Sequence, residues 1–155
     1  YILVQNSVKD KLVRYMEKYI RKMFGKDPMQ NPDYPKMINE KHFNRVLGLT
    51  ERAHVVCGGG SDVDMLKIEP TVLDQVTWES PVMQEEIFGP LLPVLTFYDI
   101  EEAIQMVNAR PRPLALYYFT KDKQREAMML KQVSYGGGCI NDTIFQFDMH
   151  RSRTN

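Results

Sequence analysis

The sequence predicts an α/β fold, with a mostly parallel open sheet and flanking helices. Short apolar runs rich in β-branched and aromatic residues alternate with longer segments whose apolar residues recur at helical spacing. This alternation is typical of parallel sheets, because each crossover helix returns the chain to the same end of the sheet. The 155 residues are enough for one domain that buries a substantial core.

Four segments have the apolar spacing of helices. They cover residues 8–24, 40–49, 100–108 and 122–133. The first is predicted to begin at a Ser7 cap and to end at Gly25. Its apolar stripe is expected in the core, and its lysines and arginines on a solvated face rather than a binding surface. Asn39 is expected to cap the second helix, and Asp99 with Glu102 forms a capping-box pattern at the start of the third.

Six apolar runs are the predicted strands. They lie at residues 1–4, 54–57, 68–73, 91–97 and 114–119, and one begins at 139. Pro70 predicts that the third is interrupted or lies at a sheet edge, because proline cannot donate to a strand ladder. The glycine triplets at 58–60 and 136–138 lack the strand-to-helix context of a nucleotide-binding fingerprint. We expect turns with positive φ at both triplets.

The composition argues against several classes of partner and location. The 20 Lys and Arg residues balance 20 Asp and Glu residues, which disfavours nucleic acid or an anionic membrane surface as a partner. No apolar run reaches the roughly 20 residues that a transmembrane helix needs, and no signal-like segment opens the chain. Two cysteines do not make a disulfide framework. We therefore expect a cytoplasmic protein without a transmembrane segment.

Each cysteine is a candidate nucleophile. Cys139 follows a glycine triplet, but the sequence places no base or cation beside it to favour the thiolate. A packed strand residue is the favoured role for Cys139 and for Cys57, and a hydrolase that uses Cys139 is an alternative of a different class. The three histidines and Cys57 show no paired metal-ligand spacing, so we expect no metal site.

The segment at residues 80–90 is the best candidate site. It reads SPVMQEEIFGP and forms a loop between two predicted strands, with the adjacent carboxylates Glu85 and Glu86 followed by Phe88. A carboxylate can accept hydrogen bonds from hydroxyls while an aromatic face backs a planar ring, and a nicotinamide riboside presents both groups. The alternative is an exposed acidic turn with Phe88 tucked into the core.

The run QEEIFGP at residues 84–90 resembles the EEIFGP signature of the aldehyde dehydrogenase superfamily. Other segments resemble the family in the same order, and some resemble its class 3, or fatty-aldehyde, branch. They are Met37-Ile38-Asn39 with His42-Phe43 and Arg45-Val46, then residues 68–73, 101–104, 113–117 and 137–142. Matches in one order from Tyr1 to about Ile144 make the resemblance specific.

The resemblance implies oxidation of an aldehyde to a carboxylic acid with NAD or NADP, in a homodimeric parent enzyme. In the family a cysteine thiolate attacks the carbonyl, hydride leaves to nicotinamide, and a glutamate-activated water hydrolyses the thioester. Carried over residue by residue, Glu86 would bind the nicotinamide ribose hydroxyls and Phe88 would pack beside the nicotinamide ring. Ile144 and Phe147 fall where the class 3 branch lines its aldehyde pocket.

Compared with the family, this chain is expected to be an incomplete catalytic domain. The nucleophilic cysteine and the general-base glutamate are expected upstream of Tyr1, so no catalytic residue is assigned here and the isolated chain is expected to be inactive. Residues 1–147 would be the partial catalytic domain and residues 148–155 a divergent tail. The alternative is a non-catalytic truncated or split-gene product that serves as a binding or interaction module.

Overall fold

A computed structural model of the chain describes residues 1–143. The chain divides into two units, Tyr1–Phe97 and Tyr98–Asn155, and each has its own strands and helices. Two of the three strand pairings in the main sheet of the first unit are parallel, as is the strand pairing described in the second unit, so the predicted α/β class is confirmed. In the described part of the chain, no helix is both long enough and apolar enough to cross a bilayer.

The first unit is built on a four-stranded sheet. Its strands in chain order are β1 (Ile2–Gln5), β2 (His54–Cys57), β3 (Ser61–Asp62), β4 (Lys67–Ile68), β5 (Thr71–Asp74) and β6 (Leu91–Phe97). The main sheet has the order β1-β6-β5-β2. Strand β6 pairs in parallel with both β1 and β5, whereas β2 joins β5 antiparallel. Strands β3 and β4 form a separate antiparallel pair.

Pro70 divides the predicted third strand, as expected, into β4 and β5. It does not mark a sheet edge, because β5 lies between β6 and β2. The N–H of Thr71, immediately after the proline, donates to the carbonyl of Pro90 at 2.8 Å. In the first glycine triplet, Gly58 and Gly59 have φ values of 75° and 98°, so the predicted positive-φ turn is present there.

Helices α1 (Lys9–Phe24) and α2 (Glu40–Gly48) cover opposite faces of the main sheet. The cluster under α1 contains Val4, Val72 and Val94, packed against Leu12, Val13 and Met16 of the helix. The cluster under α2 contains Ile68, Leu73 and Leu91, with Phe43, Val46 and Leu49 from the helix segment. Val72 and Leu73 are successive residues of β5 and therefore point to opposite faces, which separates the two clusters.

The start of α1 differs from its prediction. A short 3-10 turn at Asn6–Val8 follows β1 directly, and Val8 occupies the cap position without a side-chain hydrogen bond. The Ser7 cap is therefore wrong, because Ser7 lies inside that turn. At the other end Gly25 closes the helix as predicted, with φ 87° and its N–H donating to the carbonyl of Arg21 at 3.0 Å.

The apolar stripe of α1 is only half used by the core. Leu12, Val13 and Met16 are half-buried against the sheet, whereas Tyr19 and Met23 are 52% and 68% exposed. The helical spacing of the stripe predicted burial along the whole helix, but near its end these two side chains find too little apolar surface in the first unit to be buried. The lysines and arginines between them lie mainly at exposed or partly exposed positions, as predicted.

Helix α2 and the loop before it are fixed by side-chain hydrogen bonds. Oδ1 of Asn39 accepts a hydrogen bond from the N–H of His42 at 2.9 Å, which confirms the predicted cap. In the preceding loop the buried hydroxyl of Tyr34 donates to the carbonyl of Ile68 at 2.6 Å. Burial, with a contribution from the charge of Glu69, raises the pKa of Tyr34 to about 12. These bonds hold the loop against β4.

The described part of the second unit agrees with its predictions to within two residues. It contains α3 (Ile100–Asn108), β7 (Ala115–Tyr118), α4 (Lys123–Gln132) and β8 (Gly137–Ile140), with β7 and β8 parallel. Asp99 and Glu102 form the predicted start of α3. Oδ1 of Asp99 accepts from the N–H of Glu102 at 2.8 Å, and Oε2 of Glu102 accepts from the N–H of Tyr98 at 2.7 Å.

The second glycine triplet does not form the predicted positive-φ turn. Gly137 and Gly138 lie in β8, and no member of the triplet has a positive φ. A β-carbon on Gly136 would lie 2.5 Å from the carbonyl oxygen of Leu114, and one on Gly138 would lie 2.4 Å from that of Leu116. Glycine is therefore used here for close backbone approach between neighbouring strands.

Candidate functional site

Residues 85–90, which we call the EEIFGP loop, lead from the short 3-10 turn Pro81–Met83 and Gln84 into β6. Before the loop, the side-chain amide of Gln84 donates to the carbonyl of Trp78. At its end, the carbonyl of Pro90 accepts from the N–H of Thr71 at 2.8 Å. The loop is therefore anchored on both sides and presents residues 85–88 between the two anchors.

The two adjacent carboxylates of the loop are in different situations. Oε1 of Glu85 lies 2.9 Å from Nη1 of Arg45 and forms an ion pair with it. Glu86 is exposed, and within residues 1–143 its carboxylate makes neither a hydrogen bond nor an ion pair. Both oxygens of Glu86 are therefore available to accept hydrogen bonds from the hydroxyls of a ligand.

Phe88 has an unusual backbone conformation. Its φ is 44°, in the left-handed region, and its side chain is 73% exposed. A bulky residue in this region costs about 1–3 kcal/mol and persists only where its surroundings hold it. The interpretation of Phe88 as a core plug is wrong, because the ring projects into solvent two positions along the chain from Glu86.

Arg45 of α2 binds the loop through three acceptors. Its Nη1 donates to Oε1 of Glu85 at 2.9 Å and to the carbonyl of Glu86 at 3.4 Å, and its Nη2 donates to the carbonyl of Ile87 at 2.6 Å. The sequence identified Arg45 only as part of a motif and gave it no role. The available signal was an arginine on a helix together with a loop that carries two adjacent carboxylates.

Val46, the next residue of α2, contacts the far end of the same loop. It is fully buried, and its Cγ1 would lie 2.7 Å from a β-carbon placed on Gly89. The helix thus holds the loop on both sides of Phe88, through the guanidinium of Arg45 before it and the isopropyl group of Val46 after it.

Both cysteines lie within strands, as predicted. Cys57 is in β2 and Cys139 is in β8, and each is half-buried. Burial, followed by the charge of Glu17, raises the pKa of the Cys57 thiol, which is the opposite of what an activated nucleophile needs. Among the residues that the structure describes, no group of three or more His, Cys, Asp or Glu residues is placed to hold a metal ion.

A groove of about 370 Å³ lies beside α1 and β2 in the first unit. Its lining includes Glu17, Arg21, Cys57 and Glu69, and no residue of the EEIFGP loop takes part in it. The carboxylate of Glu69 accepts a hydrogen bond from the N–H of Gly60 at 2.8 Å, so this acidic group supports the turn after β2.

Ile144 and Phe147, predicted for the aldehyde pocket, lie outside the described residues, as does the predicted tail at 148–155. The candidate site therefore consists of Glu86 and Phe88, held by Arg45 and Val46.

Comparison with known proteins decides what kind of protein carries this loop. Residues 1–151 match the sequence model of the aldehyde dehydrogenase family. This chain belongs to that family. The family resemblance drawn from the motifs is thereby confirmed, and it extends to class 3 relatives. For example, rat aldehyde dehydrogenase family 3 member B1 is 42% identical over 142 residues, which are 92% of this chain and 30% of that protein.

Two other curated relatives of this aldehyde dehydrogenase chain have longer matches. The 4,4'-diaponeurosporen-aldehyde dehydrogenase of Staphylococcus aureus is 47% identical over 146 residues, covering 93% of this chain and 32% of that protein. The dimeric NADP-preferring aldehyde dehydrogenase of Bos taurus is 40% identical over 150 residues, covering 97% of this chain and 63% of that protein. The chain thus spans about a third of the length of the Staphylococcus relative.

Solved structures of aldehyde dehydrogenases share the fold. The substrate-bound Staphylococcus aureus AldH has a TM-score of 0.91 at 46% identity, covering 95% of this chain and 32% of that chain. An indole-3-acetaldehyde dehydrogenase in complex with NAD⁺ has a TM-score of 0.75 at 30% identity, covering 90% and 30%. The predicted architecture, a part of the aldehyde dehydrogenase fold, is confirmed by these matches.

Proposed function

We propose that this chain is part of the catalytic domain of an enzyme that oxidises an aldehyde to a carboxylic acid with NAD or NADP. The observation that carries the proposal is that one anchored loop holds both an exposed carboxylate, Glu86, which no side chain of residues 1–143 engages, and the exposed ring of Phe88. Membership of the aldehyde dehydrogenase family supports it. Support also comes from one relative named NADP-preferring and from a structural neighbour in complex with NAD⁺.

The two side chains fit the nicotinamide riboside end of such a cofactor. The carboxylate oxygens of Glu86 would accept hydrogen bonds from the ribose hydroxyls, and these bonds would be strengthened by the charge of the acceptor. The face of Phe88 would form one wall beside the planar ring. When bound, the cofactor supplies the hydride acceptor, and the two residues would contribute orientation, on which the rate of transfer depends.

The remaining chemistry would come from residues upstream of Tyr1. A cysteine thiolate there would add to the aldehyde carbonyl, and once hydride had left to the nicotinamide, a glutamate-activated water would hydrolyse the resulting thioester to the acid and the free thiol. Strand β1 runs parallel to β6, with Ile2 opposite Val94. A continuation of β1 before Tyr1 would therefore run beside the start of β6, towards the EEIFGP loop.

The proposal extends to parts of the enzyme that the described residues do not include. Residues 1–147 would belong to the catalytic domain, with Ile144 and Phe147 at the aldehyde pocket, and residues 148–155 would be a tail outside it. We further propose that the whole enzyme is a cytoplasmic homodimer. The name of the Bos taurus relative describes that protein as dimeric.

The test is an assay of the longest natural protein that contains this chain. NAD⁺ or NADP⁺ is combined with a short aliphatic, a long aliphatic and an aromatic aldehyde, and carboxylic acid should form in equal amount with reduced cofactor. Residues 1–155 alone should give no turnover. If the longer protein binds neither cofactor by calorimetry and forms no acid, the proposal is wrong, and the non-catalytic module becomes the better interpretation.

A further inference from the structure

We propose that Arg45 is the positioning residue of the EEIFGP loop: it fixes the backbone that carries Glu86 and Phe88 and so sets their orientation towards the cofactor. The inference rests on the proposed function, since it concerns how that site is held. Arg45 itself would touch neither cofactor nor aldehyde. Its effect would pass through the loop to which it is bonded.

The geometry of the guanidinium suits this role. Nη1 and Nη2 of Arg45 reach the carbonyls of Glu86 and Ile87 at 3.4 and 2.6 Å, so one planar group contacts two successive peptide units. A guanidinium holds its donors in a rigid fork, whereas an ammonium is a single point with rotatable donors. Arg45 therefore fixes both the position and the direction of the chain immediately before Phe88.

Glu85 orients the arginine in turn. Its Oε1 lies 2.9 Å from Nη1, and the side chains of Arg45 and Glu85 are 27% and 46% exposed. The pair is partly solvated, so its Coulomb energy is modest, but it gives Nη1 a second acceptor. Arg45 is thus paired with Glu85 and not with the neighbouring Glu86, whose carboxylate binds no other side chain in the described part of the chain.

The conformation of Phe88 explains why such a clamp is needed. A left-handed phenylalanine relaxes unless its neighbours fix the chain on both sides. Arg45 holds the carbonyl of Ile87 on one side. On the other side, Gly89 packs against Val46 and Pro90 accepts the N–H of Thr71. Without the arginine, residues 85–87 would lose their hydrogen bonds to α2 and would keep only the apolar packing of Ile87.

The experiment compares Arg45→Gln, Arg45→Lys and Glu85→Gln in the longest natural protein that contains this chain. Arg14→Gln is the control, because Arg14 is an exposed arginine on α1, the helix on the other face of the sheet. The readouts are kcat, the KM values for cofactor and for aldehyde, the melting temperature, and the rate at which a glutamate-specific protease cuts after Glu86, a cleavage site that all of these variants keep.

Arg45→Gln should raise the cofactor KM and lower kcat, for a combined loss of about tenfold in efficiency, the size expected for one charge-assisted hydrogen bond. The aldehyde KM should stay unchanged, and cleavage in the loop should be faster. Compared with Arg45→Gln, Arg45→Lys should bring the melting temperature closer to the wild-type value than it brings kcat and the cofactor KM. Lysine keeps the positive charge but lacks the planar set of donors that contacts both carbonyls. Glu85→Gln should be milder than Arg45→Gln, since both carbonyl contacts remain.

Two results separate this inference from the proposed function. If Glu86→Gln impairs the use of cofactor while Arg45→Gln and Arg45→Lys leave loop cleavage and cofactor kinetics unchanged, the positioning role is overturned and the function stands. If the Arg45 variants accelerate loop cleavage but Glu86→Gln is kinetically silent, the proposed cofactor site fails and with it the inference. A drop in melting temperature alone, with both KM values unchanged, also overturns the positioning role.

Discussion

Val46 and Gly89 are in such close contact that no side chain fits between them. A β-carbon on Gly89 would lie 2.7 Å from Cγ1 and 3.0 Å from Cγ2 of Val46, which is fully buried. Gly89 has no positive φ, so the requirement for glycine is space rather than backbone conformation. This contact joins the EEIFGP loop to the core under α2.

Gly89→Ala should therefore destabilise the protein by about 1–3 kcal/mol, the range for overpacking in a core. Gly48→Ala is the matched control, since a β-carbon there meets no atom within 4 Å, and it should be neutral or stabilising because alanine favours helix. Urea unfolding of both variants measures the difference. Adding Val46→Ala to Gly89→Ala should recover part of the loss, and an equal effect of both glycine variants would contradict the contact.

Glu86→Gln should reduce efficiency with the cofactor by about one to two factors of ten, because hydrogen bonds to charged groups contribute roughly 1.5–3 kcal/mol. The main effect should be on kcat, since the proposed contact would orient the reacting ring. Steady-state kinetics on the longest natural protein measures it, with the exposed Glu51→Gln as control. Unchanged kinetics for Glu86→Gln would end the cofactor-site proposal.

Phe88→Ala should impair the use of cofactor without loss of stability. The ring is 73% exposed, so its removal leaves no cavity. Phe88→Gly should raise the melting temperature above that of the wild type, because glycine adopts positive φ without the cost of about 1–3 kcal/mol that a bulky residue bears there. Thermal melts with kinetics on both variants check this, and a loss of several kcal/mol in Phe88→Ala would restore the core-plug interpretation.

Tyr34→Phe should destabilise the first unit by about 1–3 kcal/mol, because the carbonyl of Ile68 loses its buried donor. The raised pKa of Tyr34 also determines whether its contribution to stability rises or falls with pH. The folded state holds the proton more tightly, so this contribution is full below about pH 10 and is lost as the pH rises towards about 12. Tyr34→Phe should therefore lose less stability over that range than the wild type.

The matched control for Tyr34→Phe is Tyr19→Phe, on the exposed side of α1. Urea midpoints at neutral and alkaline pH compare the two variants with the wild type. Equal alkaline losses in wild type and Tyr34→Phe would show that the hydroxyl of Tyr34 does not carry the effect.

The ion pair between Lys9 and Asp74 should contribute stability that acid removes. Nζ of Lys9 lies 2.7 Å from Oδ2 of Asp74, and the two side chains are partly buried, at 23% and 15% exposed. Burial alone would raise the pKa of Asp74, but the hydrogen bond from Lys9, the backbone of Gln75 and nearby positive charge together lower it. The contribution is therefore present above the unfolded value of about 3.9 and is lost as the pH falls through the lower folded value.

Asp74→Asn should accordingly have a lower free energy of unfolding than the wild type at pH 7. This difference in stability should become smaller below about pH 4. Asp64→Asn is the matched control, because it removes a carboxylate at an exposed position in the turn between β3 and β4. Urea unfolding at several pH values provides the measurement. If the stability difference between the wild type and Asp74→Asn grew in acid, the ion pair with Lys9 would not be stabilising the ionised form of Asp74.

The sequence was sufficient to predict most elements, because their signals are local. Asn39 and Asp99 cap their helices through hydrogen bonds to residues three positions on. Apart from the Ser7 cap, which lies in a local 3-10 turn, the failures came from tertiary structure. Periodicity could not show that the sheet leaves Tyr19 exposed, and composition could not show that Gly136 and Gly138 are required by the carbonyls of a neighbouring strand.

The candidate site was predictable only in part for the same reason. Glu86 and Phe88 lie in one short motif, so a family resemblance could identify them together. The hydrogen bonds of Arg45 reach a loop 40 residues further along the chain. The sequence shows that residue 45 is an arginine but not which residues it binds. The left-handed φ of Phe88 was also beyond prediction, because phenylalanine does not favour that region.

The bond between Thr71 and Pro90 has a consequence for the folding of this chain. It places the last residue of the EEIFGP loop on the first rung of the ladder between β5 and β6. A slip of one residue in that pairing would move the loop by about 3.3 Å along the strand and would invert which face each side chain of β6 occupies. A misaligned sheet would therefore displace Glu86 and Phe88 together, so an assembly error in these strands would remove the proposed cofactor site as a whole rather than weaken it.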